Sequence, residues 1–386
     1  MRLISAKIKN FKSLEDVELD FRDLTIIVGA NATGKSNCLD VLRFFCVIVR
    51  ASSPPPLKWI QKLLRNNIDQ TLILEIIVKT DDQDINYQIS ISENNEKVSF
   101  SREILKIGEI VVINIDENHG TVCDEDGNNS QIYLSKEGNL ALKAAGDFGN
   151  KPLTAQLSEF IKSWEFYDFE PHVMRGTNRS LTARFENKEE EIPTLDIKGQ
   201  YFENLLLYYS NNDSDKFDEI NQELYDCMGI SLELSIDNEL RVKEIDGHKI
   251  KISGLSDGTL RIIGYYMLLH RDDLPPLIGI EEPERNLHPA ILSSVASILK
   301  KLSQRTQIII TTHSSQLLDC FSSDEINSDI SVLLLSKKDS SGTHVFRLEQ
   351  LSQEREDFAE WMRDFGVGSA VYNSNLLQEL LESQYV

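Results

Sequence analysis

The chain has 386 residues, 41% hydrophobic and 26% charged, with a formal net charge of -22 from 40 basic and 62 acidic side chains. That length suggests two domains, or one large domain carrying an insertion, and the apolar share is ample for a core. The acidic balance argues against general binding to nucleic acid, which needs a basic face to release counterions; only a local basic groove would leave an opening for DNA.

No run approaches the ~20 apolar residues of a membrane helix, and mean hydropathy is -0.27. Met1 to Lys7 alternates like a strand and carries no signal-peptide pattern. Cys38, Cys46, Cys123, Cys227 and Cys320 are scattered, and neither they nor the seven histidines show metal-ligand spacing. An odd, unpaired cysteine count fits a reducing compartment. A cytoplasmic protein with no membrane partner is expected.

Residues 2–21 read as two strands, from the alternation of Ile4, Ala6 and Ile8 and then of Val17, Leu19 and Phe21. Leu24 to Val28 is a short apolar run, as in a buried strand. Gly29-Ala30-Asn31-Ala32-Thr33-Gly34-Lys35-Ser36 follows and fits G-x-x-x-x-G-K-[ST] without a mismatch. From Lys35 the pattern is helical through Leu39, Leu42, Phe45 and Val49, until Pro54-Pro55-Pro56 ends it. Strand, glycine loop and helix start make an anion cradle: backbone N–H groups point inward and the helix N-terminus adds partial positive charge. Lys35 can then reach β- and γ-phosphates, and Ser36 can hold Mg²⁺.

Residues 71–135 read as an antiparallel meander, with Leu72, Leu74, Ile76 and Val78 alternating and acidic turns between strands. A helix is expected over 153–164. Residues 168–250 change character and read as a small helical lid. They hold a polar stretch with His172, Arg175, Arg179 and Arg184, an acidic run from Glu186 to Glu191, and a helical pattern over 199–228. The basic stretch reads as a solvated loop, with phosphate or a partner as the alternative. Alternation of strands and helices resumes after 251. Leu277 to Ile280, Gln307 to Thr311 and Ile330 to Leu335 are buried strands, Val345 to Leu348 is a possible fourth, and Pro289 to Leu302 is a helix. Two closing helices are expected near 352–364 and 374–384.

Three later motifs bear on the chemistry. Leu255-Ser256-Asp257-Gly258 matches L-S-x-G and opens a helix, a second N-terminus suited to an anion; alone it reads equally well as a turn capped by Ser256. Glu281 and Glu282, in Glu281-Glu282-Pro283-Glu284-Arg285-Asn286-Leu287-His288-Pro289, stand at the carboxyl end of a buried strand. That is where a magnesium-associated acid and a water-activating acid belong. Thr311-Thr312-His313-Ser314 ends another strand, and His313 is placed to contact a γ-phosphate and sense its loss.

In this order the motifs resemble AAA-type ATPases of the ATP-binding-cassette superfamily. The nearest resemblance is to the ATPase part of the overcoming-lysogenization-defect nucleases and to stand-alone ATPases of bacterial defence operons. RecF and the structural-maintenance-of-chromosomes heads are more distant. Ile8-Lys9-Asn10-Phe11-Lys12-Ser13-Leu14 also looks like the first strand of this family. The implied fold is α/β: an ATP-binding-cassette-type head with an antiparallel β-subdomain and a helical lid insertion. The division expected is an N-terminal lobe over 1–167, the lid over 168–250 and a C-terminal lobe over 251–386.

The resemblance implies that ATP and Mg²⁺ are the cofactors. Gly29, Asn31, Ala32, Thr33, Gly34, Lys35, Ser36 and Asn37 would surround the nucleotide, with Lys12 approaching its phosphates. Ser36 and Glu281 would serve the metal, Glu282 would polarise the attacking water and His313 would assist. Glu281 stands where many cassette ATPases carry aspartate. Ser256 and Gly258 would close the pocket from a second protomer, with Asn286 and His288 on the loop crossing that interface. Gln156 is a candidate for the Q-loop residue by position. The stretch after His313 leaves no room for the TOPRIM nuclease domain of the defence nucleases, so an effector, nuclease or toxin, is expected on another chain. The function implied is a homodimeric or larger ATPase switch in anti-phage defence. The alternatives are a RecF-like DNA-repair clamp and a transporter's nucleotide-binding subunit.

Overall fold

The computed structural model describes the chain apart from residues 52, 66–70, 95–96, 118, 135–138, 145–150, 176–192, 237–238, 338–341 and 373–386. β1 (Arg2–Phe11) and β2 (Leu14–Asp20) precede β3 (Leu24–Gly29), the strand that runs into the glycine loop. The meander follows as β4 (Leu72–Lys79), β5 (Asp84–Asn94), β6 (Lys97–Ile107), β7 (Ile110–Asp116), β8 (His119–Val122) and β9 (Gln131–Leu134). These join β1 and β2 in one antiparallel sheet of order β2-β1-β4-β5-β6-β7-β8-β9. The expected meander is therefore present, and the N-terminal pair belongs to it. Period-two alternation sets its buried face. Ile85, Tyr87, Ile89 and Ile91 are fully buried, each contributing roughly 1.5–3 kcal/mol of apolar burial. The ring of Tyr87 packs edge-on against Phe45 of the helix Lys35–Arg50.

The second sheet comprises β3 with β10 (Glu165–Tyr167), β14 (Leu277–Glu281), β15 (Gln307–Thr312), β16 (Ile330–Lys337) and β17 (Thr343–Arg347), in the order β10-β14-β15-β3-β16-β17. All neighbours are parallel except β16 and β17. β3, β14, β15 and β16 are covered on both faces, which is why these four read as largely apolar runs. Parity assigns the faces. Leu24, Ile26, Val28, Ile308 and Ile310 pack toward the lid and the C-terminal helices. Ile27, Ile309, Leu333 and Leu335 pack toward the helix Lys35–Arg50 and the meander. The carboxyl ends of β3, β14 and β15 lie in one row, because Glu281 pairs with Thr311 and Thr312 with Val28.

The expected lid helix over 199–228 is two helices, Phe202–Asn212 and Ser214–Met228, broken at Asp213, whose side chain caps the second. A three-stranded antiparallel sheet that sequence patterning did not reveal follows: β11 (Ile230–Leu234), β12 (Leu240–Glu244) and β13 (Lys249–Lys251). The helix expected over 153–164 is Pro152–Lys162. The helix expected from Pro289 starts with a 3-10 turn, Pro289–Ile291, and continues as Leu292–Ser303. Near the C-terminus the chain forms Leu348–Glu354, Glu356–Phe365 and Val367–Tyr372. The helix expected near 374–384, Arg179, Arg184 and the acidic run 186–191 lie outside the described residues. All five cysteines are free thiols, and no helix among the described residues is long and apolar enough to cross a membrane.

Candidate nucleotide-binding site

The loop after β3 has the geometry of a cradle. A Cβ on Gly29 would lie 2.5 Å from the Leu335 carbonyl oxygen. Gly34 holds φ 109°, and a Cβ there would lie 2.5 Å from Ser13 Oγ and 2.7 Å from Thr343 Oγ1, so no larger residue fits. Ala32 also takes a left-handed conformation, φ 64°. The helix Lys35–Arg50 starts at Gly34 with no side-chain cap, which leaves its first-turn N–H groups free for an anion. The loop is braced from behind. Thr343 Oγ1 donates to the Thr33 carbonyl (2.7 Å), and Asn37 Nδ2 donates to Ser13 Oγ (2.8 Å). Asn31 and Ala32 are exposed on the rim.

Lys35 folds over the loop, and its Nζ donates to the carbonyls of Gly29 (2.9 Å) and Ala30 (3.1 Å). Burial pulls its pKa below the ordinary lysine value, while Glu282, Glu284 and Glu281 hold it up. Such a cation, held by carbonyls alone, is available to a phosphate that displaces them. Ser36 Oγ donates to Glu281 Oε1. A hydroxyl and a carboxylate side by side are hard oxygen donors of the kind Mg²⁺ takes alongside phosphate oxygens. The residues present therefore fit a magnesium nucleotide.

Glu282 takes φ 44°, a sparsely allowed conformation for a non-glycine residue. Its N–H donates to the Thr311 carbonyl at 2.9 Å. This aims its carboxylate at the His313 imidazole, with Oε1 3.1 Å from Nδ1. Loop, lysine, Ser36–Glu281 pair, Glu282 and His313 thus converge at the carboxyl edge of the parallel sheet, where ligands bind in such folds. Tyr372, which sequence reasoning missed, reaches the same edge. Its hydroxyl accepts from the Gly29 N–H and donates to the Thr312 carbonyl, both at 3.4 Å. Burial raises its pKa to about 12. No sequence signal marks it, because the contact spans most of the chain.

The other candidates are engaged by other partners or exposed. Lys12 Nζ pairs with Asp40 at 2.6 Å, on the helix beyond the loop. Gln156 is exposed on the helix Pro152–Lys162. Ser256 caps the helix Asp257–Leu269, its Oγ accepting from the Thr259 N–H. Gly258 lies tight against the Asn286 carbonyl, where a Cβ would come within 2.7 Å. Asn286 Nδ2 donates to Asp257 at 3.2 Å. Arg175, expected in a solvated loop, instead pairs with Asp257 and donates to the Leu255 carbonyl at 2.8 Å. Asp168 contacts Arg285 and lies 3.7 Å from the buried Arg261. The L-S-x-G turn and the loop after Glu282 therefore share one tied surface. His288 Nδ1 accepts from the Ala290 N–H and the residue is exposed on that loop.

A family model described as an AAA domain matches residues 5–229, more than half of the chain. A second, described as "AAA domain, putative AbiEii toxin, Type IV TA system", matches residues 148–319. Among solved structures, an SMC head bound to the C-winged helix domain of ScpA aligns with TM-score 0.52 and 16% identity, covering 92% of this chain and 100% of that one. The SMC head domain from Thermotoga maritima aligns with TM-score 0.47 and 15% identity, covering 90% and 100%. The first of these supports the fold. With its glycine-loop cradle and the acids aligned at the sheet edge, the chain belongs to the AAA-domain ATPases and has the fold of an ATP-binding-cassette-type head.

Proposed function

We propose that this ATPase works as a homodimeric switch, in which Mg²⁺-dependent ATP occupancy and hydrolysis control a separate effector protein. One observation carries the reading. The cradle, Glu282 and His313 lie together, whereas Ser256 caps its own helix and Gly258 packs on Asn286, in the loop after Glu282. Among the described residues no hydrogen bond or ion pair joins Ser256 or Gly258 to the phosphate loop of their own chain. Each protomer would then lend its Ser256 surface to the other's triphosphate. Within a protomer, Lys35 and the loop N–H groups would hold the phosphates and Ser36 with Glu281 would hold the metal. The metal, when bound, supplies charge neutralisation at the phosphate oxygens. Glu282 would orient the attacking water and take its proton, with His313 held against it.

The effector and the defence setting draw on further support. One matching family model carries the description of a putative AbiEii toxin. A similar SMC head was solved bound to a domain of another protein. A net charge of -22 suits a basic protein partner. For the DNA-clamp alternative, Arg175 offers little, since it is engaged by Asp257 and Leu255.

The dimer is tested by mixing two inactive variants. Lys35→Ala disables the cradle and Ser256→Arg disables the lent surface. A mixture regains ATP hydrolysis if one intact composite site forms per heterodimer; no recovery at any ratio would sink the dimeric reading. The effector is tested by co-expression with the product of the neighbouring gene. A neighbour that neither binds nor changes activity when Lys35 becomes Ala refutes that part.

A further inference from the structure

Glu284 has no part in the scheme above, yet it is the most buried of the three carboxylates in this turn, at 8% exposure. Its Oε1 accepts from Thr312 Oγ1 (2.6 Å) and from the His313 N–H (3.2 Å). Its Oε2 is buried without a hydrogen-bond partner among the described residues. A buried carboxylate is unfavourable unless donors hold it, and here both donors come from the end of β15. A stitch in the opposite sense runs from the Glu282 N–H to the Thr311 carbonyl at 2.9 Å. The turn 282–284 and the end of β15 are thus fastened to one another twice, in opposite directions.

That fastening bears on the Glu282–His313 contact. The strained φ of Glu282 persists only where its surroundings fix it. The His313 side chain is half exposed, and its Nδ1 lies 3.1 Å from Glu282 Oε1 and 3.6 Å from Glu284 Oε1, so its aim depends on these carboxylates and on where its main chain is pinned. Glu284 pins it, through the His313 N–H itself and through the neighbouring, fully buried Thr312 hydroxyl. A direct acid–base part for Glu284 is disfavoured by its burial and by the two bonds already on Oε1. We propose that Glu284 is a positioning residue for hydrolysis, its carboxylate holding the end of β15 so that the His313 imidazole meets Glu282. This rests on the reading that Glu282 and His313 act in hydrolysis.

The test is epistasis between two positions. Glu284→Ala should lower kcat about tenfold or more while ATP affinity changes less than about twofold, the signature of a lost contribution to the chemical step. Glu284→Gln keeps an acceptor oxygen for both donors and should stay within about threefold of wild type. In a His313→Ala background, Glu284→Ala should remove nothing further, because it acts through His313. An equal fall in both backgrounds overturns the proposal, and so does Glu284→Gln as damaging as Glu284→Ala. Wild-type turnover in His313→Ala alone would sink the site reading and the proposal with it, a failure visible in that single variant. If Glu284→Ala does not fold, Thr312→Val deletes one donor at nearly constant shape and repeats the test. Unchanged turnover in Thr312→Val then overturns the proposal.

Discussion

Glu282→Gln keeps the shape of the side chain but removes its charge and its capacity to accept a proton. A positioned general base contributes about 10²- to 10⁴-fold, or about 3–5.5 kcal/mol of barrier, and turnover should fall by that factor. ATP binding near neutral pH should hold or tighten, because one fewer carboxylate faces the triphosphate. A second effect follows from Lys35. Burial lowers its pKa, and Glu282 is the first of three carboxylates that hold it up. Removing that charge lowers the Lys35 pKa further, so the lysine loses its proton at a less alkaline pH. ATP affinity of the variant should therefore decline earlier than that of wild type as pH rises. Single-turnover phosphate release and calorimetric titration from neutral to alkaline pH measure both. Turnover within about threefold of wild type refutes Glu282 as the base, and identical pH profiles refute the electrostatic coupling.

Arg175→Met breaks the tie to Asp257 and Leu255; ATP-dependent dimerisation should weaken by sedimentation while nucleotide affinity of the single protomer is kept. Gly258→Ala places a methyl 2.7 Å from the Asn286 carbonyl, which should displace the loop after Glu282 and depress steady-state hydrolysis more than ATP binding. Glu103 is a buried carboxylate that accepts from Tyr87 Oη and the Ala141 and Leu142 N–H groups. Glu103→Gln would set an amide NH₂ against one of these donors and should destabilise the fold by about 1–3 kcal/mol. Burial, the largest influence, raises the Glu103 pKa in the folded state. Its protonation therefore contributes stability that is full below the unfolded carboxylate value and is lost as pH rises through the folded one. Denaturant melts should show the gap between wild type and variant widest in acid and narrowing upward; a gap that widens with pH refutes the sign.

The parts of the candidate site were legible in sequence because each of them is local. Residues 29–36 form a contiguous motif, and Glu281 and His313 follow unbroken apolar runs that read as buried strands. The meander was legible from strict alternation along Ile85 to Ile91. Long-range contacts left no such trace. Tyr372 meets Gly29, and Thr343 braces Thr33, through distances in the chain that no periodicity encodes. Arg175 looked solvated because its neighbours in sequence are polar, whereas its partner Asp257 comes from the distant L-S-x-G turn. The only sign of Glu284 was a third acid beside two that already had roles. The small sheet β11–β13 was missed because its strands are only three to five residues long, too short for the alternation of Ile230, Leu232 and Leu234 or of Leu240 and Val242 to stand out.

β3 lies between β15 and β16, and Gly29 rests on the Leu335 carbonyl. During synthesis the glycine loop leaves the ribosome well before β15 and β16, the strands that flank it, which lie far downstream of it. A nascent chain therefore carries the phosphate-binding motif without the walls that shape it. Nucleotide capture becomes a late event in biogenesis, and a truncated product retains the motif but not the pocket.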